Sequence, residues 1–90
     1  MEEKLTEAEL QDRLDYATSM IQIGKRYRHY KGNLYKVMAL AITEATNEPA
    51  VIYKALYGKE IQFIRPVSDW VMAVRWEGET VPRFDLVDQL

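Results

Sequence analysis

Two periodicities divide the chain. Up to Ile21 the apolar residues Leu10, Leu14, Ala17 and Ile21 recur at spacings of four, three and four, on one helical face, while Glu9, Asp12, Arg13 and Asp15 fall mainly elsewhere. The start of this amphipathic helix is encoded in "LTEAELQDRL": Thr6 as N-cap, Glu9 three residues on to complete a capping box, and Leu5 with Leu10 for a hydrophobic staple. Gly24 is the expected stop or linker position. The apolar stripe has two open uses: covering an open end of the domain behind it, or meeting a second copy in a short coiled-coil seam.

Beyond Gly24 the period becomes two. "KRYRHYK" and "LYKVMALAI" flank Gly32 and Asn33, which predicts a tight hairpin with a two-residue Gly-Asn loop. That register sets Tyr30 opposite Tyr35, His29 opposite Lys36 and Tyr27 opposite Met38. It also sets Arg28 beside Val37 and Arg26 beside Ala39, so apolar-in, polar-out alternation fails and a bulge is expected to reset the faces. "TEATNEP" is a loop, "AVIYKALYG" a third strand, and Gly58 with Lys59 turns the chain into "EIQFIR". Pro66 ends that ladder, "VSDWVMAV" predicts a short helical turn with Ser68 or Asp69 near its start, and Glu77-Gly78 centres a last hairpin closed off by Pro82. About five short strands in so small a body favour a barrel, which hides its edges. The expected organisation is an N-terminal helix over residues 1–23 and a small mainly β barrel over 24–90.

At 90 residues and 10.6 kDa the chain holds one domain of modest stability. The apolar fraction of 48% and charged fraction of 29% belong to a folded globular protein. The absence of cysteine removes disulfides and thiolate metal sites, and with no apolar run of membrane length and no secretory signal pattern the expected setting is cytoplasmic. Residues 1–16 carry six acids against Lys4 and Arg13, net -4, which leaves +2 for the remainder of the -2 total. An acidic end on so small a body works against binding nucleic acid, which needs a basic stripe.

The strand motifs carry a resemblance. Gly24, Tyr27, His29 through Gly32, Tyr35 with Val37, Val51, Tyr53 through "ALYG", Arg65-Pro66 and Val81 through Phe84 follow in order and spacing the pattern of domain-of-unknown-function family 1653, short proteins of bacteria, archaea and phages. The likeness covers about residues 24–86 and implies a small SH3-like barrel; it implies no settled activity. Two positions depart from the family pattern. Ala45-Thr46 stands where Glu-Thr is usual, with Glu44 shifted by one, and Phe63 stands where a tryptophan is common.

Catalytic constellations are poorly represented. Ser19 and Ser68 sit in no nucleophile elbow, His29 stands alone without ligand-spaced partners, and the four glycines are scattered one per turn rather than gathered in a phosphate loop. The expectation is a protein that is not an enzyme, without metal or cofactor. "GKRYRHYKGNLYKV" is basic and aromatic with no acid, and Arg65 and Arg83 each flank a proline that would aim a planar guanidinium fork. Arg28, His29, Tyr30, Lys31, Arg65 and Arg83 are therefore the candidate residues for a small anionic, phosphorylated or nucleotide-like ligand, which phage members of the family could sequester. Against this stand a structural histidine, internal salt bridges from the two arginines to Glu48, Glu60 or Asp85, and Trp70, Trp76, Tyr53 and Tyr57 as core. The alternative function is an adaptor or inhibitor that docks a protein partner through the N-terminal helix and exposed aromatics, with a homo-oligomer through that helix.

Overall fold

Helix α1, Glu7–Met20, begins where its cap residues dictate. The Thr6 hydroxyl accepts the Glu9 N–H at 3.2 Å and the Glu9 carboxylate accepts the Thr6 N–H at 3.0 Å, which satisfies two otherwise orphaned donors. The structure is a computed structural model that describes residues 5–88; Glu2, Glu3 and Lys4 of the acidic segment lie outside the described residues, as do Met1, Gln89 and Leu90. Ala17 and Ile21 are fully buried and Leu10 and Leu14 half-buried, so the stripe covers the β-domain. The Ile21 N–H closes the last turn on the Ala17 carbonyl, and Gly24 follows at φ 85°.

The remainder is mainly β. Strands β1 (Arg26–His29), β2 (Leu34–Thr43), β3 (Glu48–Ala55), β4 (Gln62–Pro66) and β7 (Phe84–Leu86) form one antiparallel sheet in the order β4-β3-β2-β1-β7. Helix α2 (Val67–Trp70) follows β4, and β5 (Ala73–Trp76) pairs with β6 (Glu79–Pro82) in a separate hairpin. Its turn places Glu77 at φ 51° and Gly78 at φ 83°, the two left-handed residues that a twisted two-residue hairpin requires. Helix α1 packs on β2 and β3.

The first hairpin differs from its expected register. Its loop is Tyr30-Lys31-Gly32: the His29 N–H donates to the Asn33 carbonyl at 2.9 Å, the Gly32 N–H to the His29 carbonyl at 2.7 Å, and Gly32 takes φ 113°. Tyr27 therefore faces Tyr35, Arg28 faces Leu34 and Arg26 faces Lys36, in place of the Tyr30–Tyr35, His29–Lys36 and Tyr27–Met38 pairs. This slip restores the alternation that the two-residue loop violated. Tyr27 is buried and Arg26 and Arg28 point to the other, exposed face. The β1–β2 ladder has no bulge where one was expected; a bulge lies instead in the β2–β3 ladder at Met38, between Val37 (opposite Tyr53) and Ala39 (opposite Ile52).

Tyr27, Val37, Val51, Tyr53, Val67, Trp70 and Phe84 form the core with Ala17 and Ile21. Trp70 and Phe84 stack with ring centroids 3.7 Å apart and planes 4° from parallel. The N-cap of α2 is Pro66 rather than Ser68 or Asp69, and no side chain caps it. Among the described residues β4 and β7 do not pair, so the ring of backbone hydrogen bonds stays open there. The sheet nevertheless curls until the Arg65 guanidinium carbon lies 5.6 Å from the centroid of the Phe84 ring, on which Trp70 is stacked.

Candidate functional site

The gap between β4 and β7 collects the charged side chains of the inner face. Arg65, at the end of β4, donates its Nε–H to the Tyr53 hydroxyl at 3.3 Å and pairs with Asp69 one helical turn on. Burial opposes the charge on Arg65, but the bonds from Tyr53 and Asp69 outweigh it and the pKa is raised. Arg83, on the bend between Pro82 and Phe84, brings its guanidinium to 3.9 Å from the other Asp69 oxygen. One carboxylate thus serves two guanidinium groups. The Arg83 Nε is buried and has no hydrogen-bond partner among the described residues.

His29 completes this wall from β1. Its ring is 5.1 Å from Phe84 and 4.4 Å from Tyr30, and its Nδ1 accepts the Lys31 N–H at 3.2 Å. Burial, followed by the positive charges of Arg65, Arg83 and Lys31, lowers its pKa and favours the neutral ring. Tyr30 is tied into the same region because its N–H donates to the Arg83 carbonyl at 3.0 Å and Trp76 packs 5.2 Å from its ring. The Lys31 ammonium sits 5.9 Å from the Tyr30 ring centroid.

Of the six candidate residues, Arg65, Arg83 and His29 converge, and Tyr30 and Lys31 form the adjoining turn. Arg28 does not join them: strand alternation sends it to the opposite face, where it donates to the Gly32 carbonyl at 3.1 Å. The expected carboxylate partners are corrected too. Glu48 lies 3.8 Å from Arg13 and Glu60 3.9 Å from Lys54, while Asp69, overlooked as a partner, holds both arginines. Its i,i+4 spacing from Arg65 across a short helix was the available signal. Tyr53 and Trp70 are core, whereas Trp76 and Tyr57 are 40% and 45% exposed. The Tyr57 hydroxyl is 2.7 Å from that of Tyr35, whose pKa burial pushes up to about 12, so the Tyr35 phenol stays protonated and the contact is structural.

A concavity away from this wall separates α1 from β3 and α2. It measures about 590 Å³ and is lined by Asp12, Tyr16, Met20, Pro49, Val67 and Val71 among others. Among the described residues no helix is long and apolar enough to cross a membrane, and no group of three or more His, Cys, Asp or Glu side chains is arranged to hold a metal ion.

The sequence model of the family described as "Protein of unknown function (DUF1653)" matches residues 25–86. The chain belongs to DUF1653. The crystal structure of a DUF1653 protein from Bordetella bronchiseptica is similar at 31% identity with a TM-score of 0.71, covering 81% of this chain and 95% of that one. No curated protein matches the chain. The matched segment starts after α1, so the charged wall lies wholly inside the family domain and the 590 Å³ groove takes one side from outside it.

Proposed function

We propose that this DUF1653 domain binds a small anion, of the phosphate or carboxylate class, at the Arg65–Asp69–Arg83 wall, and releases it unchanged. The observation that carries this reading is the imbalance of two guanidinium forks over a single carboxylate, with the Arg83 Nε buried and unpartnered. A buried donor without a partner costs about 1–3 kcal/mol, so an incoming oxygen that satisfies it gains more than one that meets a hydrated side chain. Planar forks favour a ligand offering two oxygens at once. Half-exposed Trp76 and Phe63 flank the wall with aromatic surface that would suit a nucleobase or another flat group attached to the anion.

Isothermal titration with inorganic phosphate, pyrophosphate and a panel of nucleotides tests the reading. Saturable binding that falls at least about tenfold in Arg83→Ala, with the fold retained by circular dichroism, supports it. A flat panel ends it.

A second reading, an adaptor that docks a protein through α1, is favoured by one observation. Tyr16 and Met20 stay 66% and 39% exposed along the groove, beside Val71 at 47%. Pull-down with the full chain and with Tyr16→Ala separates it from the first, because loss of a partner would leave anion titration untouched.

A further inference from the structure

The two edges of the sheet are guarded unequally. Strand β7 is three residues long and follows Pro82, which makes it a poor template. Strand β4 has five residues and exposes Phe63 by 41% and Ile64 by 71%, with Ile61 exposed by 57% just before it. It has no lysine, its ladder to β3 runs without a bulge, and proline enters only at its last position. Its one charge, Arg65, is turned inward to Asp69 and Tyr53. A flat edge with apolar side chains on both faces recruits another strand.

We propose that β4 is the place where two copies of this chain join, edge to edge, into one continuous antiparallel sheet. The backbone fixes how. The Ala55 N–H donates to the Ile61 carbonyl, so residues 61, 63 and 65 face β3 and the outward N–H and C=O groups belong to Gln62 and Ile64. A two-fold axis perpendicular to the sheet keeps the faces, and residues pair with positions of the same parity. Centring it on Phe63 sets Gln62 opposite Ile64 of the second copy twice over, which closes four backbone hydrogen bonds. Phe63 meets its own equivalent at the close, non-hydrogen-bonded position, where aromatic pairs contribute most.

The occupant is a second copy because the strand that fits must be apolar on both faces and bring no charge to the edge. Phe63 lies on the inner face with Tyr53, and Ile64 lies on the outer face with Ile52. In this register Phe63 is covered by its own equivalent on the inner face, while on the outer face Ile64 packs on the stem of Gln62 of the second copy with the second Ile64 diagonally across the axis. The same axis sets Ile61 of the second copy beside Arg65, so the charged wall gains an apolar flank on dimerisation. The proposal does not depend on anion binding.

Sedimentation velocity of the full chain from about 1 µM to about 1 mM is the test. A concentration-dependent dimer is expected. Ile64→Lys, at a position 71% exposed and therefore tolerant in the monomer, raises the dissociation constant at least about tenfold with circular dichroism unchanged. Tyr16→Lys on α1 leaves the dimer intact. A monomer at every concentration overturns the proposal, as does a dimer indifferent to Ile64→Lys or one that Tyr16→Lys dissociates.

Discussion

Two arginine–carboxylate clusters lie on opposite faces of β1 and its neighbours, and they are built to different rules. On the outer face Arg26 donates its Nε–H to Asp88 at 2.8 Å and its backbone N–H to the second Asp88 oxygen at 2.8 Å. One cation meets one anion there, and both oxygens are used. The Arg26 side chain and then its N–H hold the Asp88 carboxyl below its ordinary range. On the inner face Arg65 and Arg83 divide one Asp69, and a buried Arg83 donor goes unused. The outer pair is matched one to one at an exposed position, while the inner one sets two cations against one anion over the stacked Trp70 and Phe84 rings. An arginine near a carboxylate is thus no guide to function until its donors are counted against the available acceptors.

The contrast breaks most completely if the inner floor is removed. Trp70→Ala deletes the ring stacked on Phe84 and should cost about 3–5 kcal/mol, read as a large fall in the denaturation midpoint. Next, Asp69→Asn frees both inner guanidinium groups and should raise affinity for inorganic phosphate several-fold while lowering thermal stability. Asp88→Asn, which also frees an arginine, should give no comparable gain because the Arg26 side chain is half exposed and its freed donors are taken up by water. A gain in both variants, or in neither, would erase the distinction. A smaller effect comes from His29, whose folded pKa lies below its ordinary 6.5. The unfolded chain takes up the proton first, so stability should decline as pH falls from about 6.5 toward the lowered value and level off beneath it. His29→Phe should flatten that segment of the stability–pH curve. Smallest is Thr6→Ala, which removes the capping box far from both clusters and should cost about 1 kcal/mol without altering phosphate titration.

What could be read from the sequence was what local chemistry decides. The cap at Thr6 and Glu9, the turn at Glu77-Gly78 and the short helix after Pro66 depend on residues within a few positions of one another. The first hairpin departs from its expected register because a loop containing Gly32 and Asn33 accommodates two or three residues equally well. The choice between them is made by burying Tyr27 against Trp70, a contact across 43 positions that composition does not encode. Strand β7 was missed since three residues after a proline are too few to display alternation. At the site, the flanking prolines single out Arg65 and Arg83 as candidates, but neither their common face nor their shared partner is legible in the sequence. An aspartate at the start of a short helix ordinarily caps it, and Asp69 instead turns to the two arginines. Arg28 belongs to the same basic stretch as His29, but neighbours along a strand point to opposite faces, so composition does not place it at the site.

The extra residue at Met38 reaches further than a local kink. Before it Tyr35 and Val37 look inward; after it Leu40 and Ile42 do, opposite Val51 and Pro49, while Ala39 and Ala41 look away. Deleting that single residue would turn the far half of β2 inside out, sending two large aliphatic side chains into water and seating two alanines under α1. Any relative that lacks it must therefore have exchanged large for small along that whole half-strand, or lost the ground on which the N-terminal helix rests.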